Sequence, residues 1–299
     1  IPAACEFGHS VALPGGTFQG ASDITGPVLK FEGAGQRTDG FIPLQDGTVI
    51  ETRSGDTDTL SFKTDPAFSR HSMAKIGHFG IEHTGTGAGL KLDSVHQAEI
   101  QDVIVDGMET GNDGIEIVGG SFFTTLRGCH VRKTKRYGII DGEPGTSGSQ
   151  NRIVNCSASA HVTGAKAGLC IRRNHTTVEG GQYGETNGTG AGILVINESG
   201  GDRFGATIRD ALCEGGLLVN INDSPDADGQ YNEVIVDGIR ADFGRPDHIE
   251  LVRFGETYRS ALLNPRIDNP SKEGTTSIVA TWKAKSDNCY VACNRAAAL

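Results

Sequence analysis

The stretch "KAGLCIRRNHTTVEGG" (residues 166–181) sets Arg172 and Arg173 at the end of a strand-like run, with His175 just beyond. One repeat earlier stand Asp141 and Glu143, one repeat later Asn197 and Glu198, and after them Asn220, Asn222 and Asp223. Two carboxyl groups flanking a sugar chain can serve as acid and base in glycosidic cleavage, which makes Glu143 and Glu198, with Asp141 beside them, the candidate catalytic set. Arg172 and Arg173 would orient hydroxyls or a carboxylate through forked hydrogen bonds. Elimination is the other chemistry these residue types allow: the arginines neutralise a uronate carboxylate while His175, Lys133 or Lys135 takes the adjacent proton. Asn197, Asn220, Asn222, Lys133 and Lys135 would complete the wall as substrate-binding groups. The plain alternative is a set of solvated loop charges with one salt bridge between repeats.

For residues so distant in sequence to meet, the chain must return to one place at a regular interval. Glycine-led apolar runs do recur: "GLKL" from Gly89, "GIEI" from Gly114, "GIID" from Gly138, "GLCI" from Gly168, "GILV" from Gly192 and "GLLV" from Gly216. Their intervals are 25, 24, 30, 24 and 24 residues, and "HIEL" from His248 and "TSIV" from Thr276 continue the series more loosely. Each run is followed by a second apolar pattern, as in "TLRGCHV" (125–131) and "RIVNCSA" (152–158). The period is too short for a propeller blade and lacks the helix of a leucine-rich repeat. It predicts an all-β solenoid, a parallel β-helix whose coils of about 24 residues stack about 4.8 Å apart. One continuous domain is expected, with a lead-in and first coils over 1–78, regular coils over 79–280 and a cap over 281–299.

Strand alternation then sorts side chains by face. Leu90 and Leu92, Ile115 and Ile117, Leu169 and Ile171, Ile193 and Val195, and Leu217 and Val219 should face inward. The outward column reads Lys91, Glu116, Ile140, Cys170, Leu194, Leu218 and Glu250. Lys91 and Glu116 on adjacent coils are expected to form a surface ion pair. The apolar stripe Ile140, Cys170, Leu194 and Leu218 needs a cover: a second subunit, which would make a homo-oligomer, a loop of the chain, or a sugar lying on it. Setting Leu126 beside Ile153 also sets Cys129 beside Cys156, an inward thiol ladder and not a catalyst.

Composition bounds the partners. With 43 glycines and one tryptophan, the chain suits many short strands and turns. A net charge of -10 opposes non-specific contact with nucleic acid or anionic lipid, and no apolar run is long enough to insert in a membrane. The beginning "IPAACEFGHSV" lacks the basic segment and apolar run of a secretory leader. The seven cysteines include no CxxC pair, so no metal site is expected from them, and Cys289 with Cys293 could close a small disulfide. No cofactor is expected; calcium at Asp223, Asp226 and Asp228 is the one ion the loop "NDSPDADGQ" (222–230) could take, against the reading of a turn-rich loop. Tyr137, Tyr183, Phe204, Tyr231 and Tyr258 could stack on sugar faces or cap the core.

The coil repeat from about Phe79 to Val279, with "AACEFGHSVALPGGTF" (3–18) ahead of it, resembles the pectin-lyase-like superfamily of right-handed parallel β-helices. That group includes polysaccharide lyases, polygalacturonase-type hydrolases and phage tailspike depolymerases. The resemblance implies a right-handed coil, a short helix before the first strand, a polysaccharide partner cleaved at glycosidic bonds, and an extracellular or virion-surface location. It equally implies a tailspike-like trimeric receptor-binding protein, or a non-catalytic adhesin. "GNDGIEIVGG" (111–120) is similar to the first aspartate motif of polygalacturonases, which would give Asp113 a catalytic place. The paired aspartates and His-Gly of that family's later coils have no counterpart, and the pectate-lyase and epimerase motifs are absent, so no reaction follows from a motif.

Overall fold

The computed structural model describes residues 10–25, 30–34, 47–53, 55–63, 74–145, 148–160, 162–185, 190–215, 217–242, 248–268, 276–283 and 285–292. Runs such as "GIEIV" and "GLCI" carry β-branched and leucine side chains at alternate positions, which favours extended backbone. Each lays down one strand of a ten-stranded parallel sheet running from Ala21–Thr25 to Thr276–Trp282. The return path of each winding lies in a nineteen-stranded sheet, to which most windings give two short strands, such as Thr125–Arg127 and His130–Arg132. No helix occurs among the described residues. The chain is a right-handed parallel β-helix.

The two return strands of a winding are separated by one residue in the left-handed region. Asp102, Gly128, Asn155, Gly180, Asp210, Gly238 and Asn264 hold this place on successive windings, with φ between 46° and 67°. Acidic or amide residues alternate with glycine because the side chain of one covers the next: a Cβ on Gly128 would lie 2.7 Å from Asp102 Oδ1, and one on Gly238 2.7 Å from Asp210 Oδ1. Aspartate and asparagine tolerate this backbone and glycine is free to adopt it.

Register confirms most of the expected pairing. Leu126 lies beside Ile153 and Val131 beside Ala158, and Cys129 and Cys156 are buried thiols in the core. Windings average about 27 residues, longer than the predicted 24. The step from Ile115 to Ile139 keeps 24 residues, whereas that from Val219 to Val252 takes 33. Extra length enters at the corners, which face water and bear it easily.

The expected parity fails at one winding. Leu194 pairs with Asn220, not with Leu218. Leu218 lies in the core beside Val219 and Ile221, while Leu217, expected inside, is only half-buried. Three consecutive apolar residues, Leu217 to Val219, contain no alternation by which to fix a phase. The core begins well before residue 79, since Phe31 packs edge-on against Phe62 and Phe79 at 5.4 and 5.6 Å. Cys293 and the helix implied before Ser10 fall outside the described residues.

Candidate functional site

The predicted wall divides into two neighbourhoods. Asp141 ends the strand Tyr137–Asp141 at an inward position, in register with Ile117 and Ile171, and is fully buried. Arg173 follows it inside: Nε lies 3.3 Å from Asp141 Oδ1, and the guanidinium donates to the carbonyls of Ser121 (2.7 Å), Gly119 (2.8 Å) and Ile117 (3.0 Å). Asn151 donates to Asp141 Oδ1 at 2.7 Å and Thr176 to Oδ2. Burial raises the Asp141 carboxyl above the usual range, against the opposing pull of Arg173, Thr176 and Asn151. Gly148 is required here, because a Cβ would collide with Arg173 Nη1. A solvent-borne glycan does not reach either residue, and the expectation that Asp141 and Arg173 line the substrate wall is corrected. Alternation turned Asp141 inward, and a buried carboxylate needs a partner.

Asn197 and Asn222 also lie inside, contrary to their expected contact with substrate. Asn222 Oδ1 accepts from the Asn197 N–H at 2.9 Å, and its amide donates to the carbonyls of Gly229 (2.8 Å) and Glu256 (2.7 Å). Asn197 donates to Gln230 O at 2.8 Å and accepts from Ser199. Both amides satisfy corner backbone that would otherwise be buried without partners. Asn220 faces outward and exchanges hydrogen bonds with the backbone of Asp223. Glu143 accepts from Gly119 N–H at 3.2 Å and so leans back one winding, away from Glu198. His175 occupies an exposed left-handed corner after the ten-stranded sheet, whereas Lys133 and Lys135 stand on the corner before it. The structure therefore does not bring His175 and the two lysines together.

The second neighbourhood is the outer face of the ten-stranded sheet. Arg172 Nε pairs with Glu198 Oε2 at 2.5 Å, Nη2 lies 3.4 Å from Tyr137 Oη, and the guanidinium carbon is 5.2 Å from the Tyr137 ring centre. Arg136 covers the same ring at 5.5 Å, donates through Nε to both Asp113 oxygens (3.0 and 3.1 Å), and approaches Glu116 to 3.6 Å. Asp113 is fully buried and also accepts from the Tyr137 N–H at 3.1 Å. Glu116, 9% exposed, has its carboxyl pushed up to about 8, by burial first and then by the charge of Asp113 and a hydrogen bond to it, against Lys91 and Arg136. Burial and the closeness of the two carboxyl groups therefore favour a proton kept within this pair toward neutral pH. Lys91, the register neighbour of Glu116, turns to Asp58 at 3.7 Å instead of forming the expected ion pair. Cys170 lies between the halves of the site, within the fields of Arg172, Glu198, Asp113 and Arg136.

Sequence reasoning gave Glu116 only a surface ion pair, Tyr137 only stacking or capping and Asp113 a borrowed role, and did not single out Arg136. The usable signal was register: Asp113 and Tyr137 stand opposite each other one winding apart, which places Arg136 beside the carboxyl pair.

The apolar stripe is covered within the single chain. Ile140 is 1%, Cys170 0% and Leu194 6% exposed; they pack with Tyr137, Ala167 and Ile196 beneath Ala227. Lys166 Nζ ties the covering loop down through Asp226 Oδ2 at 3.0 Å. The stripe therefore offers no bare surface to a second subunit. The same loop carries the proposed calcium ligands, but Asp223 faces Arg253 (3.6 Å) and Lys283 (4.0 Å), and Asp226 faces Lys166. No group of three or more metal-ligating side chains comes together among the described residues. Of the tyrosines that could have stacked on sugar, Tyr137, Tyr183 and Tyr231 are buried, while Phe204 is exposed.

No protein-family profile matches the chain, and no curated protein matches it in sequence. Solved structures do match its fold. The enzymatically active domain of tailspike protein 2 from bacteriophage CBA120 aligns over 97% of this chain and 44% of its own, with a TM-score of 0.68 and 12% identity. The tailspike of E. coli bacteriophage HK620, solved with a hexasaccharide, aligns over 89% of this chain and 54% of its own (TM-score 0.57, 11% identity). An alginate lyase from Paenibacillus sp. aligns over 92% of this chain and 93% of its own (TM-score 0.55, 14% identity). The chain thus shares the parallel β-helix of tailspikes and polysaccharide lyases, and spans less than half the length of the CBA120 domain.

Proposed function

We propose that this protein cleaves glycosidic bonds of a polysaccharide held at the open edge of the outer face of the ten-stranded sheet, where Arg136 reaches water beside the loop that covers Ile140 and Cys170. The observation that carries this reading is the carboxyl pair Asp113 and Glu116, which keeps one proton at neutral pH on a strand that also borders Arg136 and Tyr137. A carboxyl that stays protonated at pH 7 is what a leaving glycosidic oxygen needs as its acid. Glu198, held by Arg172, is the second carboxylate and the base that activates water. Three windings separate the two residues, roughly 14 Å of stacking. Glu198 leans back onto Arg172, toward Glu116, and the gap leaves room for the attacking water of an inverting pair. Tailspike and lyase structures of the same fold support a glycan as the partner.

The test is turnover on a panel of polysaccharides, read as new reducing ends for hydrolysis and as unsaturated-uronate absorbance for elimination. Loss of turnover in Glu116→Gln with a melting temperature no lower than the parent's supports the assignment; full turnover removes Glu116 from it.

A second reading is supported by the tailspike alignments, which cover 97% and 89% of this chain. In it the protein is a trimeric glycan receptor on a virion surface, or an extracellular binder, that holds the polysaccharide without cutting it. Retention on immobilised polysaccharide with no new ends, together with a trimeric mass in solution, would favour this reading.

A further inference from the structure

We infer that the glycan taken by this face is uncharged and that its cleavage is hydrolytic, because the cations on the face are already matched by carboxylates of the chain. The inference rests on the proposed site and concerns what that site accepts. Among the described residues, Lys63, Lys91, Arg136, Lys166, Arg172 and Arg253 lie on or border the outer face. Each has a carboxylate within 4.0 Å, namely Asp93, Asp58, Asp113, Asp226, Glu198 and Glu250 in that order. Glu116 and Asp223 add two further carboxyl groups beside Arg136 and Arg253. Lys283 in turn meets Asp223 at 4.0 Å, so these cations of the face are each matched by a carboxylate of the chain.

Elimination from a uronate needs a cation free to neutralise the sugar carboxylate, and also a base. To supply that cation, this face would have to strip a partner from one of its own pairs. At Arg172 and Glu198 both side chains are nearly buried, at 11% and 13% exposure, so the stripped carboxylate would be left with little water. Lys135 stands in water on the corner ahead of the strand, where salt screens it, and provides no enclosed counter-charge. The net charge of -10 adds long-range repulsion of a polyanion.

Hydrolysis makes no such demand. The glycosidic C–O bond breaks and its oxygen leaves with the proton of Glu116. The oxygen of water joins the anomeric carbon, and the released proton passes to Glu198. Exchange with solvent then restores both carboxyl groups.

The full chain is incubated at low and high salt with neutral glycans (α- and β-glucans, mannans, galactans and a neutral bacterial O-polysaccharide) and with alginate and polygalacturonate. Binding and new reducing ends on a neutral glycan, little changed by salt, with neither on the acidic pair, are expected. Unsaturated uronate from alginate or polygalacturonate overturns the inference while leaving a glycan-cleaving site in place. Neither binding nor cleavage of any polymer overturns the proposed function and the inference together. As a check on the premise, Asp58→Asn removes the carboxylate nearest Lys91 and should bring measurable binding of an alginate oligomer that the parent does not retain. No gain in a variant that melts normally overturns the charge-matching argument.

Discussion

Arg172 and Arg173 are consecutive in sequence and belong to different parts of the protein. Arg173 points into the solenoid, joins Asp141, Asn151 and Thr176, and ties three backbone carbonyls of an earlier winding. Arg172 points out, packs on Tyr137 and pairs with Glu198 beside the Asp113 and Glu116 carboxyls. The inner group is closed, with its hydrogen bonds made to the chain. The outer group keeps a proton that can be given away and an edge open to water. The same residue type is structural where its donors are spent on backbone carbonyls and chemical where the surroundings leave something over.

The largest effect should come from the inner knot. Arg173→Met leaves Asp141 buried without a counter-charge, and urea unfolding should register a loss of about 3–5 kcal/mol. Adding Asp141→Asn should recover part of it, since a neutral amide is cheaper to bury than a lone carboxylate. A melt like that of the parent would mean the knot is not structural and would erase the contrast between the two arginines.

Glu116→Gln acts on the outer group alone. Turnover should fall by about 100-fold or more, the usual contribution of a positioned acid. The fold should persist, because the amide imitates the protonated carboxyl already present.

The same residue gives a pH signature. Its folded-state carboxyl titrates at about 8 against an ordinary 4.5. Folding therefore holds a proton that the unfolded chain releases between those values. Stability should fall as pH rises from about 4.5 and level off above about 8, and Glu116→Gln should flatten that slope in melting curves. Turnover should decline on the alkaline side as the acid loses its proton.

Arg172→Gln should destabilise by about 2 kcal/mol, less than the change at Arg173, because Glu198 retains some access to water. It should also weaken glycan binding, which Arg173→Met with Asp141→Asn would not. Smallest of all, Lys166→Ala removes a half-exposed ion pair from the covering loop and should shift stability by less than about 1 kcal/mol. A larger drop would show that the loop holds down the apolar patch more strongly than its exposed pair implies.

Much of the fold could be read from the chain. A glycine followed by alternating apolar residues at a near-constant interval leaves few architectures open, and the inward ladder from Leu90 to Val195, with Cys129 beside Cys156, followed from it. Where alternation lapsed, at Leu217 and Leu218, the register differed from the expected one by two residues. The site was half legible. Arg172 and Glu198 do meet across windings, but Glu143 leans the other way and Asp141 turns inward.

Period and polarity are properties of the covalent chain, so the sequence alone determined that this polypeptide coils, that its strands stack in parallel, and which alternating apolar side chains line most of the interior. The partner of each ionisable group is decided by distances of a few ångströms between windings. Burial of Asp113 beside Glu116, the insertion of Arg173 against Asp141, and the folding of the Asp226 loop over Ile140 and Cys170 exist only once those windings are stacked. Desolvation and charge proximity, which set where protons reside, have no meaning in an extended chain, and so only the tertiary structure could assign the chemistry.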